Sequence, residues 1–341
     1  MNDLPDIFNR FSHEIDCEMK SIITEGSLPL YEMLRYHMGW IDEKGNPGNF
    51  NKGKFLRATL CMLACISTGE DYKKALPIAA AIELIHNFSL IHDDIQDNDM
   101  QRRHRPTLWY LWGKPQAINA GTTMKVLANL AILKLQGYNV LYSKQIEVFK
   151  ILNESCLKML EGQYLDISFE DKFDVNPEDY ITMIEKKTAA LIEGAILIGA
   201  VLNLDFKDII PFKVFGNYLG IAFQIRDDIL GIWGNEDKTG KPHASDIRKK
   251  KKSYPIIFAL KQSHPKIKND LQKIYARKKI SENNVKKILG YLEIVKAKDF
   301  CEEKCRHYYE LAINEIKNLP ISKSYIDSYV EISKFLLIRD F

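Results

Sequence analysis

Apolar residues recur at three- and four-residue spacing along most of this chain, and strand-like alternation is scarce. The periodicity predicts helices over Phe55–Thr68, Ala75–Ile91, Ala117–Leu135, Gln145–Gln163, Pro177–Leu204, Val214–Ile229 and Asp299–Lys317. Asn176-Pro177-Glu178-Asp179 reads as a helix start, with proline in the first turn and two acids at the positive end of the helix dipole. The apolar run Ala189–Leu204 is broken by Glu193 and Asn203 and reads as a buried core helix. Loops are expected at Asp42–Gly53, Met100–Gln116 and Gly234–Ser253. No repeat, low-complexity tract or shift in composition divides the chain, so a single all-α domain over residues 1–341 is expected, with little sign of a sheet.

Two of the apolar runs end in acids. Asp93-Asp94-Ile95-Gln96-Asp97 follows Ile78 to Ile91, and Asp227-Asp228-Ile229-Leu230-Gly231 follows Val214 to Ile225. Carboxylates clustered at the end of an apolar helix are costly unless a cation neutralises them. Mg²⁺ suits such a place, because it takes one or two carboxylates together with water and substrate phosphates. Two clusters, each with basic residues downstream, suggest a diphosphate held between facing helices by bridging metals. On a helical wheel Asp93 and Asp97 share a face with Ser89, His86 and Ile82, while Asp94 turns aside. In the second cluster Gln224, Asp227 and Asp228 fall near one face and the last place holds Gly231, so it offers two carboxylates at most.

Composition narrows the partners. The chain is 46% hydrophobic and 27% charged, with a net charge of +3, too small to argue for nucleic acid. Any anion site must therefore be local. The six cysteines (17, 61, 65, 156, 301 and 305) are scattered and read as reduced cytosolic thiols. Cys61 with Cys65, and Cys301 with Cys305, have helical spacing but not the short loop spacing of a zinc site. The segment Met1 to Phe11 lacks the basic start and apolar core of a secretory signal, and no stretch approaches the roughly 18 uninterrupted apolar residues of a membrane span. A cytoplasmic protein is expected.

Seven stretches, in order, resemble the trans-isoprenyl diphosphate synthases, all-α prenyltransferases that elongate allylic diphosphates with isopentenyl diphosphate. They run from Gly53 to Pro255. Gly53-Lys54-Phe55-Leu56-Arg57 resembles the family's G-K-x-x-R, and Asp93-Asp94-Ile95-Gln96-Asp97 its first aspartate-rich motif. Arg102-Arg103-His104-Arg105-Pro106-Thr107 is similar to R-R-G-x-P-T, Gly162-Gln163-Tyr164-Leu165-Asp166 to G-Q-x-x-D, and Lys187-Thr188 to the K-T pair. Phe223 to Asp228 resembles the start of the second aspartate-rich motif, and Thr239-Gly240-Lys241 with Ser245-Asp246-Ile247 and Lys251 the lysine-bearing loop after it.

The resemblance implies a helical bundle around a central cavity, a homodimer, and a site with three Mg²⁺ ions. It implies that Asp93, Asp97 and Asp227 bind the metals directly. Asp94, Gln163, Asp166, Asp228 and Asp246 would hold metal-bound water. Arg102, Lys187, Lys241 and Lys251 would contact the allylic diphosphate, and Lys54, Arg57, His86 and Arg103 isopentenyl diphosphate. The Lys187 and Thr188 carbonyls and the Gln224 amide would face the allylic cation. Diphosphate oxygens would take the final proton.

Phe88 and Ser89, five and four places before the first motif, stand where the family sets product length and imply mainly geranylgeranyl diphosphate, with farnesyl diphosphate next. Three features depart from the family pattern: Gly231 in place of a third acid, His104 in place of glycine, and Thr122 where aspartate is common. The five basic residues Arg248–Lys252 read as a solvated run in which only Lys251 has a family counterpart. Trp109, Tyr110 and Trp112 read as loop packing. Two alternatives share the fold: a terpene cyclase, and a non-catalytic subunit of a heteromeric synthase. The intact isopentenyl diphosphate set argues against the first, and the retained acids against the second.

Overall fold

The computed structural model describes residues 5–23, 26–48, 50, 53–205, 207–234 and 243–337. Helices α1 (Asp6–Ile23), α2 (Pro29–His37), α3 (Leu56–Ser67) and α4 (Tyr72–Gln96) come first. A hairpin of β1 (Gln101–Arg102) and β2 (Arg105–Pro106) follows, then α5 (Leu108–Trp112), α6 (Lys114–Ile132) and α7 (Tyr142–Phe169). Next are α8 (Pro177–Ile184), a π-helical turn (Glu185–Ala189), α9 (Ala190–Val201) and α10 (Ile210–Trp233). The chain closes with α11 (Ser245–Arg248), α12 (Tyr254–Gln262), α13 (Pro265–Tyr275), α14 (Glu282–Ile294), α15 (Ala297–Ile316) and α16 (Lys323–Leu337). The two short strands, antiparallel with Arg102 opposite Arg105, are the only sheet among the described residues. The protein is all-α.

Helix α9 is the axis. Every one of its residues is buried, as its almost wholly apolar composition, with Glu193 the single charged residue, requires. Helices α3, α4, α7 and α10 pack around it. Helix α4 starts where the Asp71 carboxylate accepts the Lys73 amide at 3.0 Å, and it is buried from Ala75 to Ile91 apart from Leu76, His86, Ser89 and Leu90. It is long and apolar enough to cross a membrane by length and composition, but 72% of its most apolar window is buried inside the fold. A second apolar cluster, from Ile232 and Ala244 to Leu292 and Ala297, joins α12, α13 and α14 to the end of α10.

The fold alters three expectations. The helix expected over Pro177–Leu204 is divided by the π turn. The loop expected over Met100–Gln116 holds the hairpin, α5 and the start of α6, because Gly113 ends one helix and opens the next with a φ of 82°. The loop expected over Gly234–Ser253 contains α11. Helices α1, α2, α12, α13, α14 and α16 have no counterpart in the expected set.

Candidate active site

Both acid clusters lie at the same end of the bundle, since one strap of chain, residues 243–253, touches both. The Ala244 amide donates to the Ile232 carbonyl at the end of α10, 3.1 Å, and Lys249 pairs with Asp99 just past α4, 2.7 Å. Four of the five residues in the basic run make tethers, although Lys249 and Lys251 remain half exposed to solvent. Arg248 grips Glu282 through Nε and Nη2 at 2.9 and 2.8 Å, Lys251 reaches within 4.0 Å of Asp97, and Lys252 donates to the Phe169 and Lys172 carbonyls beyond α7. Burial lowers the Lys252 ammonium to about 8.

The expected first-cluster residues separate by environment. Asp94, turned aside on the wheel, is 2% exposed and accepts Arg102 Nε and Nη2 at 2.8 Å each. Burial raises its carboxyl to about 6, against the pull of Arg102. Asp93 is also raised by burial and by Asp97, while Lys187 and Arg102 oppose the shift. Lys187 contacts Asp166 at 2.5 Å. Gln163 donates to Gln96, 2.8 Å, and leaves its own Oε1 buried with no partner.

Asp228 has three donors: Tyr180 Oη at 2.7 Å, Gln224 Nε2 at 3.0 Å and the Tyr254 amide at 3.2 Å. Burial still raises it to about 7. The Gln224 carbonyl oxygen accepts Thr188 Oγ1 at 2.7 Å, so Thr188, Gln224 and Asp228 form one chain of hydrogen bonds. Burial lowers the Arg57 guanidinium, and the charges of Glu83 and then Asp227 oppose that shift, which puts Asp227 within electrostatic reach of Arg57. Lys241 lies outside the described residues. Among the described residues no three His, Cys, Asp or Glu side chains converge tightly enough to hold a metal by themselves. The donors nevertheless fit Mg²⁺, whose shell is completed largely by water and phosphate oxygen. They are hard carboxylates, and burial and crowding of Asp93 create a need for positive charge.

Two glycines shape the π turn. A Cβ on Gly162 would stand 2.1 Å from the Lys187 nitrogen, and one on Gly220 would stand 2.4 Å from the Ala189 Cα. Helices α7 and α10 therefore press on the widened turn from two sides. A π turn is often found at functional sites, and here it carries both Lys187 and Thr188.

Next to the acids is a cavity of about 170 Å³ lined by Lys54, Arg57, His86 and Arg103, with Glu83, Phe8 and Phe223. It brings together all four residues expected for isopentenyl diphosphate. Burial and the neighbouring Arg57 hold His86 well below the ordinary imidazole range, so it is neutral. Arg57 Nε is buried with no hydrogen-bond partner. Glu83, 3% exposed, accepts the Ala58 amide at the start of α3, 3.0 Å. It was not among the expected residues, although a lone acid inside the run Ala75–Ile91 was a legible anomaly. Tyr180 left no such trace.

The chain-length pair divides. The Phe88 ring is buried edge-on against His92, centroids 4.8 Å apart, and His92 fills the room left by Gly121 on α6. The Ser89 hydroxyl turns back to the His86 carbonyl, 2.7 Å. The six cysteines are free, and burial raises the thiols of Cys61, Cys65, Cys156, Cys301 and Cys305.

Residues 42–292 match the family model for polyprenyl synthetase. The (2E,6E)-farnesyl diphosphate synthase of Mycobacterium tuberculosis is 40% identical over 229 residues, 67% of this chain. That match spans 62% of the relative's own length. The geranylgeranyl diphosphate synthase of Saccharolobus solfataricus is 33% identical over 328 residues, 94% of this chain and 93% of that one. The crystal structure of a polyprenyl synthetase from Streptomyces coelicolor A3(2) superposes with a TM-score of 0.91 at 31% identity, covering 98% of this chain and 100% of that one. This chain belongs to the polyprenyl synthetase family.

Proposed function

We propose that this protein is a Mg²⁺-dependent trans-prenyltransferase that joins isopentenyl diphosphate to allylic diphosphates, making chiefly geranylgeranyl diphosphate. The carrying observation is two adjacent anion sites of opposite design. The mouth mixes acids with Arg102, Lys187 and Lys251, as a site needs if it binds a diphosphate through metal and must stabilise it on leaving. The cavity beside it has Lys54, Arg57 and Arg103 against the single acid Glu83, as suits a diphosphate that is held and never cleaved.

In this reading Asp93, Asp97 and Asp227 hold three Mg²⁺ ions, which when bound take up the charge growing on the leaving diphosphate. Asp94, Gln163, Asp166, Asp228 and Asp246 keep those acids and their waters oriented. Arg102, Lys187, Lys241 and Lys251 grip the allylic diphosphate. Lys54, Arg57 and Arg103 hold isopentenyl diphosphate by charge, and neutral His86 adds a hydrogen bond. The Thr188 hydroxyl fixes the Gln224 amide, whose oxygen, with the carbonyls of the π turn, is the nearby negative dipole for the allylic cation. Phe88 limits the growing chain, and the relative from Saccharolobus supports the geranylgeranyl product.

We propose one catalytic domain working as a cytoplasmic homodimer. Support for the dimer is an apolar stripe on α6 and α7: Val126, Leu130, Phe149 and Leu157 are 52, 53, 48 and 57% exposed. Incubation of the purified protein with isopentenyl diphosphate, each of three allylic primers and Mg²⁺, followed by product analysis, tests the reading. Elongated diphosphates support it. Hydrocarbons from primer alone would make the protein a cyclase, and inactivity until a second protein is added would make it a subunit.

A further inference from the structure

The hairpin that carries Arg102 and Arg103 is made of residues poorly suited to its turn. Arg102 pairs with Arg105, leaving Arg103 and His104 as a two-residue loop with φ of 53° and 62°. Positive φ at both central positions is the signature of a type I′ turn, which ordinarily demands Asn or Gly. Neither residue here is of that kind, so the turn is strained.

Something must hold it, and Arg105 is placed to do so. Its Nη1 donates to the Tyr36 carbonyl at 2.9 Å and its Nη2 to the Ile41 carbonyl at 2.7 Å, two acceptors at and beyond the C-terminal end of α2. Its guanidinium carbon lies 3.9 Å from the Tyr36 ring centroid and 4.3 Å from that of Phe50. The Tyr36 hydroxyl returns a hydrogen bond to the Pro106 carbonyl, 2.9 Å, closing the brace. At the other side of the turn the Arg103 guanidinium enters the cavity against Gly53, where a Cβ would stand 2.8 Å from Nη2. Arg102 has a separate anchor in Asp94.

We infer that Arg105 is a positioning residue for isopentenyl diphosphate: it braces β2 to α2 and so holds the strained turn that keeps Arg103 in the cavity. The inference rests on the proposed function of that cavity. Arg105 itself touches no substrate. Because Arg102 is anchored independently, loss of the brace falls on one substrate and spares the other.

The test is Arg105→Gln in the full-length protein, with both KM values, kcat and direct calorimetric binding of isopentenyl diphosphate. The expected result is a rise of about tenfold in the KM and Kd for isopentenyl diphosphate, with the allylic KM and kcat within about twofold. Adding His104→Gly, which relieves the turn, is expected to recover most of that loss, whereas His104→Gly alone leaves both KM values unchanged. Equal weakening toward both substrates, unchanged binding of isopentenyl diphosphate, or no recovery in the double variant overturns the inference. A folding defect in Arg105→Gln is separated by Arg105→Lys, which keeps charge and one hydrogen bond and is expected to fall between. If the wild-type protein binds no isopentenyl diphosphate, the proposed function falls together with the inference. If it binds and Arg105→Gln binds equally well, only the inference falls.

Discussion

The Asp246 carboxylate occupies the space a side chain at Gly231 would need: a Cβ there would stand 2.2 Å from Oδ2 and 2.5 Å from Cγ. The truncated second motif is therefore a fitted one. Its last turn receives an acid from the strap, where Ser245 Oγ also donates to the Gly231 carbonyl at 3.3 Å. Gly231→Asp, which completes the family pattern on paper, is expected to reduce kcat by about tenfold or more and to raise the Mg²⁺ concentration for half-maximal rate. Combining it with Asp246→Gly is expected to restore part of the rate. A gain in activity from Gly231→Asp alone would show that the two acids coexist.

Asp93→Ala is expected to cost about three orders of magnitude in kcat, the scale of losing a group that stabilises developing charge. Chelation with EDTA should abolish turnover in the parent protein, and added Mg²⁺ should restore it. Near-normal rates in the variant would remove Asp93 from the metal set.

Gly162→Ala puts a methyl against the Lys187 backbone. Overpacking of this kind typically costs about 1–3 kcal/mol. Displacement of the π turn should also lower kcat more than either KM rises, since Lys187 and Thr188 move together. Thermal denaturation with steady-state kinetics reads both effects, and unchanged kcat would separate the turn from catalysis.

The Asp228 carboxyl has a folded pKa of about 7, above its unfolded value, so its neutral form is the one the fold favours. The stability it contributes is complete below the unfolded pKa near 4 and is lost as pH rises through 7. Asp228→Asn in metal-free protein should therefore gain on the parent between pH 5 and pH 8, by on the order of a few kcal/mol. Denaturant midpoints at the two pH values check the sign. A gain that does not grow with pH refutes the shift.

Phe88→Ala should open space beside His92 and allow longer products, seen by chromatography of the dephosphorylated alcohols. An unchanged product length would exclude Phe88 as the limit.

What was legible in the sequence was local. Helical periodicity, the spacing of Asp93 and Asp97, and the offset that places His86 on their face all follow from neighbours along one helix. The contacts of the strap were not legible, because Lys249 and Asp99 are 150 residues apart and nothing in a basic run names its partners. The π turn was hidden for a related reason. Lys186-Lys187-Thr188 suits an α-helix, and the wider turn is set beside Gly162 and Gly220 from two other helices. His104 did register as a departure from the family pattern, but its cost appears only once its backbone angle is known.

The ion pairs at the mouth have a consequence for the order of events. Arg102 is committed to Asp94, Lys187 to Asp166 and Lys251 to Asp97. A diphosphate arriving alone finds these cations already paired, whereas Mg²⁺ at Asp97 would free Lys251 and add positive charge beside Asp94 and Asp166. The resting mouth is thus a set of placeholders, and the two ligands should bind with positive cooperativity, each lowering the concentration at which the other is captured.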